Sequence, residues 1–360
     1  MKETQIAVIG GGPAGLCAAL KAADQGVKVF IFDREPRLGG QLIKQTHKFF
    51  GSQEHRAGVR GIKIAGELEE KTQNHENISI FLNTTVIGIY EDHVLTALQN
   101  EKYIKIKFQK LIIATGAAEK MLPFENNDLP GIYGAGAVQT LMNVYGVLPG
   151  KKAVMVGAGN IGLIVSYQML QAGINVLAVI DALPKIGGYL VHASKIARIG
   201  VPILTRHTII RATGKEFVEG AVIAAVDENW EPVPGTERTY DCDIICLAVG
   251  LSPLIELLYL TKCEMVHVPS MGGRVPTRNI FGETTSAGVF VSGDAAGVEE
   301  ASAAMMEGYI SGLAAAKSLN ADIPDFDKEF RYYLGQLSAL RSGEVGEKIR
   351  KGLDRVLWQH

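Results

Sequence analysis

A Gly-x-Gly-x-x-Gly cluster occurs twice in this chain, at Gly10-Gly11-Gly12-Pro13-Ala14-Gly15 and at Gly157-Ala158-Gly159-Asn160-Ile161-Gly162. Each stands directly after a short apolar run; the first follows Gln5-Ile6-Ala7-Val8-Ile9 and opens a helix-forming stretch through Leu16 and Leu20. A strand that passes into a helix through three spaced glycines specifies a βαβ unit of the dinucleotide-binding kind. The first glycine allows the tight turn, the second lets the backbone approach a pyrophosphate, and the third lets helix and strand pack closely. Unpaired N–H groups and the positive end of the helix dipole then face the phosphates. One such turn binds one dinucleotide, so two in one chain predict a relay.

Gly10, Gly12, Pro13, Ala14 and Gly15 are the expected phosphate-binding residues of the first site. A second strand, Val27 to Phe32, ends in Asp33, at the distance of about 20 residues where a ribose-binding carboxylate stands, and Arg34 beside it is assigned to the same site. In the second site the corresponding residues are Gly157, Gly159, Asn160, Ile161 and Gly162, with Asp181 as candidate ribose ligand. Counted from the first glycine, Asp181 lies one residue later than Asp33 does, with Ile180 at the equivalent position. One step along a strand reverses side-chain direction, so Asp181 has to lie just past the strand end to serve. Ala182-Leu183-Pro184 follow instead of arginines, which leaves a 2′-phosphate without an evident partner and favours NAD over NADP.

With 360 residues the chain has room for two or three domains and a substantial core. Its apolar fraction of 47% and charged fraction of 21% are those of a globular protein and exclude disorder or a fibrous architecture. A net charge of −2, with no basic run interleaved with aromatics, argues against nucleic acid as a partner. No apolar run reaches the length of a transmembrane segment, and the N-terminal apolar stretch is accounted for by strand and helix rather than a signal peptide, so a cytoplasmic protein is expected. Four cysteines, Cys17, Cys242, Cys246 and Cys263, form no Cys-x-x-Cys pair and no cluster-binding set. Cys242 and Cys246 read as sharing one face of a strand, too far apart to bridge, and all four read as buried packing thiols. No redox pair adjoins either fingerprint, so disulfide reduction is not expected. His192, His207 and His267 are isolated, and no metal site is expected.

The predicted fold is α/β, with two Rossmann-like dinucleotide-binding domains of three-layer ββα form, the second inserted into the first. The boundaries expected are 1–118 and 270–320 for the two parts of an FAD-binding domain, 119–269 for an NAD-binding domain, and 321–360 for a charged, peripheral helical tail. Segments rich in Pro, Gly and Asn near 123–136 and 269–276 read as the two connectors, and two connectors are what a hinge would need.

At this point the residues resemble those of the two-dinucleotide-binding-domain flavoproteins, the thioredoxin-reductase-like and glutathione-reductase-like group. The resemblance covers residues 1–320 and rests on the first fingerprint with Asp33, on Ala114-Thr115-Gly116, and on Thr285-Ser286-Ala287-Gly288-Val289-Phe290-Val291-Ser292-Gly293-Asp294. It implies that the first site holds FAD, with Gly293 and Asp294 at the ribityl chain, Val86 against the adenine, and Ala114, Thr115 and Gly116 at the step between domains. Asp33 departs from the Glu of most relatives and has a shorter reach. Within that group the chain is similar to the flavin subunits of heteromeric amine and imino-acid oxidoreductases: hydrogen cyanide synthase, opine oxidase, dye-linked proline dehydrogenase and the sarcosine oxidase alpha subunit. Gly39-Gly40-Gln41, Ile186-Gly187-Gly188-Tyr189, His192-Ala193 and Gly297-Val298-Glu299-Glu300-Ala301 are among the residues that carry this similarity. It implies a hetero-oligomer that includes a partner dehydrogenase subunit, with any iron–sulfur cluster on another polypeptide.

Flavin chemistry asks little acid–base help of a protein, and no catalytic side chain is assigned. Gly40 and Gln41, with the loop through His47 and Lys48, fall where they can approach the isoalloxazine. The helix beginning at Ala301 can aim its positive end at the flavin, and Glu299 and Glu300 read as N-terminal helix acids.

Overall fold

The computed structural model describes residues 1–358, apart from the side chains of Glu344 and Val345. The chain divides into two compact units, one built from Met1–Ala118 and Leu251–His360 and the other from Glu119–Gly250.

In the outer unit, five parallel strands form one sheet in the order Val289–Val291, Lys110–Ile113, Ile6–Ile9, Val29–Phe32, Ile78–Phe81. The four strands Val289–Val291, Lys110–Ile113, Ile6–Ile9 and Val29–Phe32 are apolar at nearly every position because both faces are covered, whereas the edge strand Ile78–Phe81 exposes Ser79. Ile6, Val8, Val29, Ile31, Ile112 and Phe290 face a core shared with the helices Pro13–Ala23, Gly61–Gln73 and Ala301–Lys317. Their strand neighbours Ala7, Ile9, Phe30, Phe32, Leu111, Ile113 and Val291 face the other way. There they meet Leu95, Ala97 and Ile106 of an antiparallel meander, Thr84–Ile89, Val94–Gln99 and Lys102–Lys107. Period-two alternation thus generates the three layers.

The inserted unit repeats this plan. Its parallel sheet runs Ile132–Gly134, Ile244–Leu247, Lys152–Val156, Asn175–Asp181, Ile203–Thr205. Met155, Val179 and Ile244 pack on the helices Ala135–Asn143, Asn160–Gln171 and Leu190–Arg198, while Val154, Ile180 and Ile245 pack on the meander His207–Thr213, Gly220–Ala225, Arg238–Tyr240.

Three expectations need correction. Residues 251–269 belong to the outer unit and not the inserted one, since Leu258 and Cys263 are buried with Phe30 and Ile113. The stretch near 269–276 is no connector: Met265–Val268 and Gly273–Pro276 pair as an antiparallel hairpin, with Pro269 opening a short 3-10 turn and Gly272, at φ +97°, closing it. Pro and Gly mark a hairpin turn as readily as a linker. The C-terminal segment is not peripheral, because Phe330 and Leu337 of the helix Phe326–Leu340 enter the main core and Leu353 and Val356 pack on Met271 and Val275.

Cys242 and Cys246 are also separated. Cys246 faces the helices and Cys242 the meander, because the strand starts only at Ile244 and the alternation does not reach back to Cys242.

Candidate functional site: two dinucleotide cradles

The first fingerprint sits where the strand Ile6–Ile9 turns into the helix Pro13–Ala23. Gly10 has φ +108°, and a Cβ there would collide with the Ala114 carbonyl oxygen; a Cβ at Gly15 would collide with the carbonyl of Gly10. Gly12 differs: a Cβ on it would meet nothing nearer than Gly40 Cα at 3.8 Å. The second glycine is therefore needed for space kept for something other than this chain. The N–H groups of Gly12, Ala14 and Gly15 find no acceptor among the described residues, and Pro13 at the first helical position has none to offer. Three open donors at a helix N-terminus, with room in front of them, fit the pyrophosphate of a dinucleotide.

Asp33 follows the strand Val29–Phe32 directly. Its carboxylate accepts the Gly11 N–H at 2.6 Å and the Glu35 N–H at 2.9 Å, so it fixes the glycine turn. Burial pushes its pKa up, opposed by those two hydrogen bonds. Gly40, at φ +51°, stacks so closely that its Cβ would stand 2.7 Å from Gly12 Cα. Gly293, at φ +68°, lies against Ala14, where a Cβ would approach the Ala14 methyl to 2.8 Å. Beneath the fingerprint helix, Gly308 and Gly312 of the helix Ala301–Lys317 press on the carbonyls of Ala14 and Ala18, an approach any side chain would block. The sequence residues Gly10, Gly12, Pro13, Ala14, Gly15, Asp33, Gly40, Ala114 and Gly293 are thus brought together.

Other expected residues stand apart from that cluster. Arg34 is exposed and lies beside Glu35, Gln41 is exposed at the start of the 3-10 turn Gly40–Lys44, and Val86 is buried in the meander core. Thr115 donates to the Leu254 carbonyl at 2.7 Å and Gly116, at φ +79°, accepts the Leu254 N–H, so this pair fixes the chain's return into the outer unit. Asp294 lies in a short 3-10 turn after the strand Val289–Val291, accepts the Glu299 N–H at 3.3 Å, and is pushed up to about 7 by burial and by the nearby Glu307 and Glu299. Ala301 is the first residue of its helix.

Glu299 is not a helix-capping acid. It is buried and takes both forks of Arg341, at 2.9 Å from Nε and 2.5 Å from Nη2. Arg341 Nη2 also reaches Glu307 at 2.6 Å, Glu307 accepts the Gly293 N–H at 2.9 Å, and Arg278 Nη2 lies 3.6 Å from Glu307. Nothing in local pattern announced this four-charge cluster, whose members are far apart in the sequence.

The second cradle reproduces the first. Gly157, at φ +110°, would collide through a Cβ with the Ala248 carbonyl, Gly162 with the Gly157 carbonyl, and a Cβ on Gly159 would meet nothing within 4 Å. The N–H groups of Gly159, Ile161 and Gly162 find no acceptor among the described residues. Asp181 accepts the Ala158 N–H at 2.7 Å and the Leu183 N–H at 2.9 Å, the same two bonds Asp33 makes. The extra residue in the second unit is absorbed by a bulge: pairing jumps from Ala153↔Val176 to Val154↔Ala178, after which Val156↔Ile180 matches Ile9↔Phe32. Asp181 thereby recovers the position of Asp33.

Sequence reasoning missed two features here. Gly188 presses on Asn160 and Gly159 as Gly40 presses on Gly12, and Asn160 Oδ1 accepts the Tyr189 N–H at 2.8 Å. The signal was present, since Asp33 and Asp181 are followed at the same spacing by Gly39-Gly40 and Gly187-Gly188. In addition, the backbone N–H of Arg206 donates to the Leu183 carbonyl at 3.0 Å, so the chain at Arg206 adjoins the segment that follows Asp181.

All four thiols are buried and free, with Cys17 and Cys242 pushed up to about 12 by burial. No metal-binding group of His, Cys, Asp or Glu occurs among the described residues, and no helix among them is long and apolar enough to cross a membrane.

Residues 4–308 match the pyridine nucleotide-disulphide oxidoreductase family, and the chain belongs to it. It is 26% identical to the alpha subunit of sarcosine oxidase from Corynebacterium sp. (strain P-1), over 87% of this chain and 32% of that protein. It is 27% identical to an opine oxidase subunit of Agrobacterium tumefaciens (strain Ach5), over 87% and 65%. With hydrogen cyanide synthase subunit HcnB of Pseudomonas protegens it shares 26%, over 85% and 69%. The chain thus spans about a third of the sarcosine oxidase relative and just under two thirds of the opine oxidase relative. Among solved structures, L-proline dehydrogenase from P. horikoshii superposes with a TM-score of 0.71 at 24% identity, over 92% of this chain and 59% of that one. T. acidophilum thioredoxin reductase gives 0.73 at 19%, over 89% and 100%. These likenesses show the two-Rossmann-domain fold.

Proposed function

We propose that this chain is the electron-transferring FAD subunit of a heteromeric amine, imino-acid or hydroxy-acid dehydrogenase, with NAD at the second cradle as its other redox partner. The observation that carries the reading is the presence of two complete cradles in a chain without a usable thiol. Family relatives that reduce disulfides need a reactive cysteine pair, and here every cysteine is buried with its thiolate disfavoured. Relatives at 26–27% identity are named as subunits of larger oxidases and synthases, which supports a partner chain that binds the substrate.

In this reading the open N–H groups of Gly12, Ala14 and Gly15 hold the FAD pyrophosphate, Asp33 the adenosine ribose and Asp294 the ribityl hydroxyls. Gly40 and Gly293 close the groove. Bound FAD supplies hydride and single-electron chemistry that no side chain here provides. Asp181 serves the ribose of a pyridine nucleotide, and its negative charge disfavours a 2′-phosphate, so NAD is preferred.

Purification from the native host tests this. The preparation is expected to be yellow, to release FAD on denaturation, and to bring with it a second polypeptide that oxidises an amine, imino acid or hydroxy acid. Recovery of this polypeptide alone, turning over NADH with oxygen at full rate, would instead establish a stand-alone NADH oxidase. Flavin that resists both NADH and every partner substrate would make the nucleotides structural.

A further inference from the structure

We infer that Arg341, in a segment beyond the family match, is a positioning residue for the flavin end of the first cradle, holding Glu299 and Glu307 so that the Gly293–Asp294 turn keeps its shape. The inference rests on FAD occupying that cradle and not on the identity of any partner. The contacts form a chain of direct bonds. Arg341 closes the helix Phe326–Leu340, which is anchored by Phe330 and Leu337 in the core. Its guanidinium binds Glu299 through two nitrogens, at 2.9 and 2.5 Å, and Glu307 through one, at 2.6 Å. Glu307 then accepts the Gly293 N–H at 2.9 Å, and the backbone N–H of Glu299 is bonded to Asp294 at 3.3 Å. The Gly293 end of the turn is therefore tied to a carboxylate that Arg341 grips, and the Asp294 side chain to the backbone of Glu299, whose own carboxylate the same arginine holds.

The charge balance gives this arrangement a distinct signature. Arg278 and Arg341 offset Glu299 and Glu307, and Arg278 is itself pinned to the Ala296 carbonyl at 2.8 Å. Asp294 is then the odd charge of the group, and the two glutamates are the charges that face it. Without Arg341, two carboxylates are left beside Asp294 with one cation between them. Like charges enclosed together disfavour ionisation, so the acids of this corner take up protons at higher pH. An ionised Asp294 is the better acceptor for a hydroxyl, so FAD affinity is expected to rise with pH through its titration.

The test is the FAD dissociation constant of the full chain between pH 5.5 and 9, read from flavin fluorescence after removal and re-addition of FAD. Far-UV circular dichroism checks the fold. Wild type is expected to bind more tightly as pH rises through about 7. Arg341→Gln is expected to move that midpoint upward by about one pH unit, and so to lose about threefold in affinity at pH 7.5, close to tenfold at pH 6 and almost nothing at pH 9. Arg341→Lys, which keeps the charge, is expected to restore the wild-type midpoint. Should Arg341→Gln fold poorly, the double variant Glu299→Gln/Arg341→Met removes one charge of each sign and is expected to return the midpoint to wild type. A uniform loss of affinity at every pH, or a midpoint that does not move in Arg341→Gln, would overturn the inference. A wild-type chain that binds no FAD at any pH would overturn the FAD reading itself.

Discussion

The two cradles agree at the glycines and at the aspartate that bonds the turn, and differ in what is packed around them. In each, the first glycine has φ near +110° and abuts a carbonyl of the neighbouring strand, the second faces open space, and the third abuts the first. In each, an aspartate bonds the turn, Asp33 just past the end of its strand and Asp181 as the last residue of its own. Around the first, a helix approaches to backbone contact through Gly308 and Gly312, and a buried four-charge cluster shapes the turn at Asp294. Around the second, the fingerprint helix meets Ala135–Asn143 instead, through a buried Gln139–Gln168 hydrogen bond of 2.9 Å. The phosphate end is a repeated solution, and what distinguishes one nucleotide from the other is built by elements outside the fingerprint.

The largest expected effect comes from the first glycine of either cradle. Gly10→Ala and Gly157→Ala place a Cβ against a backbone carbonyl at positive φ, which costs more than about 3 kcal/mol. Each is expected to lower the melting temperature and to abolish nucleotide binding in its own unit, over 100-fold by equilibrium dialysis. An Asp33→Ala or Asp181→Ala change leaves two turn N–H groups without their acceptor, at roughly 1.5–3 kcal/mol. Equal losses of nucleotide affinity, about 10- to 100-fold, would affirm that the bulge makes the two acids equivalent. A loss at Asp33 alone would break the equivalence.

How much of this was legible in the sequence follows from where the information lies. The first cradle is written in contiguous residues, so Gly10 to Gly15 and Asp33 could be read directly. In the second cradle the same pattern points to Asp181 but leaves it one residue out of step, because a bulge near Leu177 is invisible in residue types. Pro269 and Gly272 read as a linker, since the same residues serve a hairpin turn. Arg341 could not be found by pattern, because its partners lie in distant segments, Glu299 just before the helix Ala301–Lys317 and Glu307 on it, and its approach depends on how Phe330 and Leu337 seat the helix Phe326–Leu340. Contacts between distant segments require tertiary packing to be known first.

A smaller effect separates the cradles by pH. Asp294 is raised from 3.8 to about 7 in the folded chain, so the FAD-free fold holds a proton between about pH 4 and 7 that the unfolded chain has released. That contribution to stability is fully present below pH 4 and is lost as pH rises through 7. Relative to Asp294→Asn, the wild-type apoprotein is expected to lose about 3–6 °C in melting temperature across this window. A parallel profile for the two proteins would contradict the burial of this carboxyl. The smallest effect is chemical: a thiol reagent is expected to modify none of the four cysteines within minutes in the native chain and all four after unfolding.

The central claim, two cradles in one chain that hold FAD and NAD separately, is tested most directly by counting both nucleotides per chain in wild type, Gly12→Ala and Gly159→Ala. The backbone at Gly12 and Gly159 is extended and both have room for a methyl group, so both variants are expected to keep the wild-type melting temperature within about 1 °C. Wild type is expected to bind one of each, Gly12→Ala to lose FAD and keep NAD, and Gly159→Ala to lose NAD and keep FAD. Retention of both nucleotides by both variants, or loss of both by either one, would contradict the claim.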